Sequence, residues 1–301
     1  MIWATLERFW YTDCTQVGDI SLQYAGDTNT GVKRDHNEDC VATEPRLGLW
    51  LVADGVGGHA AGEVASDLVR STVIERVSAG DSLVEAITFS HDVLVREIEQ
   101  RDVSSTLGMG STVVVVQVKG SDYEVAWVGD SRAYLFGGQL QQLTTDHTRV
   151  NELLAHGAIT PEQAHNHRDR HVLTQCLGVD KNLKIAPGSV TGTLRPGEQL
   201  LLCSDGLTDE LSDTVIAGLL TTNKSPKSQV NALIRAALDM GGSDNVSVVV
   251  VGDFELSEQD LETTHNRRRS SDASRSRREK FPFKVLALLA VLCLAALWLL
   301  Q

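Results

Sequence analysis

The sequence predicts an α+β protein in which one antiparallel sheet packs on another and helices cover the outside. Two patterns carry that expectation. Short apolar runs at 112–118, 123–128 and 132–136 follow one another with only a turn between them, the signature of an antiparallel meander. Helical spacing of apolar residues is confined to other stretches, 60–77, 82–101, 148–156 and 226–240, so strand and helix do not keep alternating as a parallel sheet requires. Strand-like runs fill most of the intervals, and a closing strand is expected at 246–252. At 301 residues and 42% hydrophobic content the chain can bury one large core.

Four aspartates stand beside Gly, Asn or Ser near the ends of such runs, Asp54 before Gly55, Asp130 after Gly129, Asp205 before Gly206 and Asp244 before Asn245, and a fifth, Asp39, follows Asn37 and Glu38. The runs at 47–53, 124–128 and 199–203 read as buried strands. A carboxylate at the end of a buried strand costs several kcal/mol to desolvate unless it is paired. Any one of these dipeptides is explained as a turn. The repetition points instead to a shared cation, and oxygen donors without a matching set of His and Cys favour Mg²⁺ or Mn²⁺.

Those residues also carry a family resemblance. Gly31, Arg34 and Asn37-Glu38-Asp39; Asp54-Gly55, Gly57-Gly58-His59 and Gly62; Gly110 with Thr112; Gly129-Asp130-Ser131-Arg132; Asp205 with Asp209; and Gly242, Asp244 and Asn245 stand in the order found in metal-dependent protein phosphatases of the PP2C type, over residues 20–253. The Gly-Gly-His form after Asp54 resembles the bacterial branch. The resemblance implies an αββα sandwich with metals in the cleft between the sheets. It implies two metal ions held by Asp39, Asp54, the Gly55 carbonyl, Asp205 and Asp244, with Glu38 acting through bound water. Arg34 matches the residue that grips the substrate phosphate, Asp130 and Asp209 match carboxylates of a third, weaker metal site, and His59 lies near a histidine proposed as general acid. The chemistry is consistent with these roles: phosphomonoester hydrolysis demands accelerations approaching roughly 10²¹-fold. Paired divalent ions supply charge stabilisation of that kind, and a planar guanidinium stays charged while gripping two phosphate oxygens. The implied activity is hydrolysis of phosphoserine and phosphothreonine, counteracting bacterial Ser/Thr kinases. The alternative from another class is a catalytically inactive phosphoprotein-binding regulator.

Two enzyme rivals fail on local chemistry. Cys40 and Arg46 have the spacing of cysteine-dependent phosphatases, but Pro45 removes a loop amide, and Glu38, Asp39 and Glu44 raise the thiol pKa. Gly55, Gly57 and Ala60 with Glu75 fit a dinucleotide-binding pattern, yet Asp54 would face an anionic pyrophosphate and the meander does not suit that fold. His156, His165, His167 and His171 lie among Arg168, Asp169 and Arg170 and are expected on the polar surface of a helical flap.

Five cysteines without paired spacing read as buried thiols in a reducing compartment, and residues 1–19, an N-terminal extension, lack the pattern of a signal peptide. The phosphatase domain is expected at 20–254. Residues 255–280 are nearly free of large apolar side chains and read as a disordered linker. Over 267–284 six Arg and two Lys face Asp272 and Glu279, a net of +6 that leaves −19 for the rest of a chain whose net charge is −13. Residues 285–300 are uncharged and overwhelmingly apolar, so 281–301 is expected to be a transmembrane tail anchor. Its basic flank places the domain in the cytoplasm, at the inner membrane, with anionic lipid as a partner and nucleic acid disfavoured.

Overall fold

The computed structural model describes residues 14–17, 20–57, 61–101, 108–165 and 167–254. The chain divides after Phe254. The expected linker and membrane anchor lie outside the described residues, among which no helix is long and apolar enough to cross a membrane.

Two sheets form the centre. One has the order β1 (Cys14–Val17), β2 (Ile20–Asn29), β12 (Val246–Asp253), β11 (Gln199–Cys203), β8 (Arg132–Phe136) and β9 (Leu140–Gln142). The other runs β10 (Gly188–Thr193), β7 (Asp122–Val128), β6 (Val113–Lys119), β4 (Leu49–Val56) and β3 (Asp39–Glu44), with β5 (Gly110–Ser111) joined to β4. Every pairing among these strands is antiparallel.

Alternation along each strand builds three apolar layers. In β4, Leu49, Leu51 and Ala53 turn toward α1 (Ala61–Ser78) and α2 (Leu83–Gln100), while Trp50 and Val52 turn toward the opposite sheet. In β12, Val246, Val248 and Val250 pack with α6 (Asp213–Thr222) and α7 (Pro226–Met240), while Val249 and Val251 join the layer between the sheets. That middle layer contains Tyr24, Trp50, Leu200 and Leu202, all buried, with the Tyr24 and Trp50 rings 5.7 Å apart. Each large side chain buried there contributes about 1.5–3 kcal/mol.

Local signals set the helix starts. Ser82 and Glu85 form a reciprocal cap on α2, and Ser225 with Ser228 does the same on α7, where Pro226 occupies the first turn. Two elements depart from the sequence expectation. Residues 213–222 form helix α6, in an interval where the sequence reading names no helix. Thr214, Val215 and Ile216 favour strand intrinsically, but Ile216 and Leu220, one helical turn apart, bury against α7 and the sheet, and packing decides. The sheet also begins before residue 20, because β1 pairs with β2 from Cys14↔Gln23 to Val17↔Ile20 and so draws part of the supposed extension into the domain.

Candidate metal centre

The rows of side chains between the sheets change character at one end. In β4 the row Trp50, Val52 continues to Asp54, and the register pairs Asp54 with Asp39, the first residue of β3. From the opposite sheet, the row Leu200, Leu202 of β11 continues to Ser204, and Val251, Val249 of β12 to Ser247. Ser204 Oγ and Ser247 Oγ each donate to Asp39 Oδ2 at 2.7 Å, so both sheets meet on one carboxylate. Asp205 follows Ser204 as the first residue of the short helix α5 (Asp205–Thr208), and Asp244 precedes β12. A Cβ on Gly206 would stand 2.0 Å from the Asn245 carbonyl oxygen, so glycine lets α5 press against the Asp244 corner.

The loop before β3 is fastened to that corner. Asn245 Nδ2 donates to the carbonyls of Thr30 and His36, at 2.8 and 2.9 Å, and its Oδ1 accepts from the Glu38 amide at 2.8 Å. Arg34 is thereby held at the rim, where Nη2 donates to Asp244 Oδ2 at 2.6 Å and Nη1 lies 3.8 Å from Glu38 Oε2. Opposite, Thr112 fixes the end of β4: the Asp54 amide donates to Thr112 Oγ1 at 3.2 Å and the Thr112 amide to the Asp54 carbonyl at 2.8 Å. The start of α1 closes on Glu38, since a Cβ on Gly62 would stand 2.5 Å from Glu38 Oε1 and 2.8 Å from the Gly55 carbonyl oxygen.

The assembly repels itself. Burial, offset in part by the Ser247 and Ser204 hydroxyls and reinforced by Asp244, raises Asp39 to about 6. Asp54 is pushed well above the usual carboxylate range by burial and by the charges of Asp39, Asp205, Asp130 and Asp244. Asp205 is pushed up in the same sense by burial, then Asp130, Asp209, Asp244 and Asp39. Burial and Asp146 raise Asp130 to about 6, and burial raises Glu38. Glu38 Oε1 and Asp205 Oδ1 are inaccessible and accept no hydrogen bond from the protein. Crowded carboxylates with orphaned oxygens fit hard divalent cations, whose charge relieves the repulsion and whose coordination uses the free lone pairs. Asp39, Asp54, Asp130, Asp205, Asp209 and Asp244 are thus brought together, with Glu38 and Arg34 at the rim. His59 lies outside the described residues.

A second wall comes from residues 148–173, which leave and return at one point: Thr148 bridges Leu173, and the Arg149 amide donates to the Val172 carbonyl at 2.8 Å. Between these ends lie α3 (Arg149–Ala155) and α4 (Pro161–His165). The return carries His171 to the cluster, its Nδ1 3.7 Å from Asp209 Oδ2. His171, Asp205 and Asp209 each offer a ligand atom within 4.8 Å of the others, which corrects the reading of His171 as flap surface alone. No sequence spacing signals this contact. Asn245, Thr112, Ser204 and Ser247 are further positioning residues that the sequence reading left without roles.

The rival chemistries find no support. Cys40 faces α1, donates to the Ser66 carbonyl at 3.2 Å, and has its thiol pushed up to about 12 by burial, the opposite of an activated nucleophile. Strand β4, which leads into the glycine motif, has antiparallel neighbours on both sides, unlike a dinucleotide-binding sheet.

Comparison with known proteins agrees with the architecture. Residues 28–153 match the family model described as Protein phosphatase 2C. The chain is 37% identical to the serine/threonine protein phosphatase PstP of Mycobacterium tuberculosis over 238 residues, covering 77% of this chain but 45% of the relative, so it spans about half that protein's length. It is 33% identical to the protein phosphatase PhpP of Streptococcus pneumoniae over 250 residues, covering 78% of this chain and 98% of the relative. A crystal structure of the PstP catalytic domain in complex with two manganese ions superposes with a TM-score of 0.68 at 34% identity, covering 78% of this chain and 99% of that one. With the sandwich, the ordered motifs and a near full-length relative in agreement, this chain belongs to the protein phosphatase 2C family.

Proposed function

We propose that the protein is a Mg²⁺- or Mn²⁺-dependent phosphatase that hydrolyses phosphoserine and phosphothreonine in proteins. The observation that carries this is the self-repelling carboxylate cluster at the mouth of the inter-sheet layer, with Arg34 at its rim. Asp39, Asp54, Asp205, Asp244 and the Gly55 carbonyl would hold two ions, Glu38 would act through bound water, and Asp130 and Asp209 would serve a third ion. When bound, such ions acidify the attacking water and neutralise phosphoryl oxygens. The protein's own groups orient the reactants. Arg34, with nearly half of its side chain exposed, presents its fork to the phosphate. Asp39, held by two serine hydroxyls, fixes the geometry beneath it. Proton delivery to the leaving oxygen falls to His59.

The proposal extends to the tail. Residues 255–280 act as a basic linker and 281–301 as a single-pass anchor in the inner membrane, with the catalytic domain in the cytoplasm. Tethering raises the local concentration of the enzyme near membrane-bound phosphoproteins, including a Ser/Thr kinase. Co-purification from membranes with no kinase or phosphoprotein would count against that partner.

The deciding experiment is phosphate release from a phosphothreonine peptide with Mn²⁺ or with EDTA, alongside Asp54→Asn and Asp205→Asn. Metal-dependent release that both substitutions abolish supports the reading. Binding of the peptide without release under any metal would establish the phosphoprotein-binding regulator instead.

A further inference from the structure

Behind Asp39 stands a run of polar side chains that do not touch the other carboxylates of the cluster through any hydrogen bond named above. In β2 the row Leu22, Tyr24 continues through Gly26 to Thr28, and the register sets Thr28 opposite Ser247 of β12. Thr28 Oγ1 and Ser247 Oγ lie 2.7 Å apart, and Ser247 Oγ lies 2.7 Å from Asp39 Oδ2. On the far side, Asn37 Nδ2 lies 2.9 Å from Thr28 Oγ1, while Asn37 Oδ1 accepts from the Asp39 amide at 3.2 Å. Thr28 and Asn37 flank the loop that carries Arg34, so their contact also closes the base of that loop.

The protons available fix which atom donates at each step. A backbone N–H only donates, so the Asn37 atom that meets the Asp39 amide is the oxygen, and the NH₂ group is left to donate to Thr28. An ionised carboxylate only accepts, so the one Ser247 hydroxyl proton is committed to Asp39. Ser247 Oγ must then accept from Thr28, whose own proton is free because Asn37 supplies one and takes none. The result is a one-way chain of donors from Asn37 through Thr28 and Ser247 to Asp39. Ser204, the second donor to Asp39, is locked in the same manner, since its oxygen accepts from the Ser247 amide at 3.0 Å. We infer that Thr28 and Asn37 are positioning residues of the metal centre, which orient Asp39 through the Ser247 hydroxyl. Each donor in such a chain polarises the next toward the carboxylate and holds its rotamer. Ser247 is fully buried, so without Thr28 its oxygen keeps a lone pair that water does not reach.

The inference rests on the metal centre proposed above, and the test keeps the two apart. Mn²⁺ affinity of the full-length protein is measured by calorimetric titration, with Tm in EDTA as the check on folding. Thr28→Val, which keeps the shape and removes the hydroxyl, should weaken Mn²⁺ binding about threefold to fivefold, and Thr28→Ser should restore it. Beside Ser247→Ala, Thr28→Val should change the affinity no further, because the chain is already cut. Asn37→Asp keeps an oxygen for the Asp39 amide but turns the donor into an acceptor that takes the Thr28 proton. Its added charge acts on the cation with or without the Thr28 hydroxyl. Asn37→Asp should therefore be less favourable to Mn²⁺ binding in the otherwise unsubstituted protein than beside Thr28→Val. A lower Tm with unchanged Mn²⁺ affinity, a further loss of affinity beside Ser247→Ala, or an Asn37→Asp effect that ignores Thr28 overturns the positioning role alone. No Mn²⁺ binding by the unsubstituted protein overturns the metal-centre reading, and this inference with it.

Discussion

The middle and the mouth of the layer between the sheets are built from the same strands and obey opposite rules. In the middle, Trp50, Val52, Leu202 and Val249 are fully buried and mutually apolar. Two residues along the same rows, the side chains become Asp54, Ser204 and Ser247, and the carboxylates gathered there raise one another's pKa. The middle is stable as it stands. The mouth is held by the middle and gathers charge that a cation would offset. A rigid sandwich can carry such a cluster because its stability comes from elsewhere, the common arrangement at functional sites.

The largest effect should appear where the mouth is altered. Asp54→Asn and Asp205→Asn are each expected to lower metal-dependent phosphate release by about 10³-fold or more, a loss of roughly 4 kcal/mol of transition-state stabilisation. The same substitutions remove a buried like charge, so the melting temperature in EDTA should rise. Calorimetry of the metal-free variants checks this, and a fall in Tm would break the contrast between the two regions.

Trp50→Ala, four residues earlier on the same strand, should do the reverse. Truncating a fully buried aromatic costs about 3–5 kcal/mol. That cost should be the same with Mn²⁺ and with EDTA, because the middle does not sense the ion. Denaturant unfolding under both conditions measures it, and a metal-dependent difference would show that the two regions are coupled.

The contrast also explains what could be read without coordinates. The period-2 rows and the aspartates that end them were visible in 47–54 and 199–205, because a buried strand ending in a carboxylate is locally anomalous. Ser204, Ser247 and Asn245 were not, since Ser and Asn beside a turn are ordinary and only the cross-sheet contacts give them roles. His171 was missed for a stronger reason: it lies 34 positions before Asp205, and only the return of the excursion at 148–173 brings the two together. Helix α6 was hidden by its own β-branched residues. Strand β1 went unread because it is a short edge strand with no apolar run to announce it.

The pH dependence sharpens the comparison further. Asp39 and Asp130 are raised from 3.8 to about 6, so their contribution to metal-free stability is fully present below about pH 4 and is lost as pH rises through about 6. A shift of that size corresponds to about 3 kcal/mol. Bound cations remove the repulsion, so the gain in Tm on adding saturating Mn²⁺ should be small at pH 5 and grow by pH 7.5. His91, whose pKa is lowered by burial, has the opposite sign, but it contributes with and without metal and drops out of the difference. A gain that is flat or shrinks over this range would mean that the cluster is not the seat of metal stabilisation.

The smallest expected effect falls on the border between the regions. Ser204 Oγ donates to Asp39 Oδ2 at 2.7 Å and accepts from the Ser247 amide at 3.0 Å, so it faces the mouth while standing at the end of an apolar row. Ser204→Ala leaves that amide without its acceptor and Asp39 with one donor fewer, at a cost of about 1–2 kcal/mol. It should also weaken Mn²⁺ binding about tenfold, because an orienting partner of an anionic group is lost. Leu202→Ala, two residues back in the same row, should cost about 2–5 kcal/mol and leave Mn²⁺ affinity unchanged. Calorimetric titration of both variants locates the boundary: if Leu202→Ala weakens the metal as much as Ser204→Ala does, the mouth extends a full pleat deeper into the sandwich than its carboxylates do.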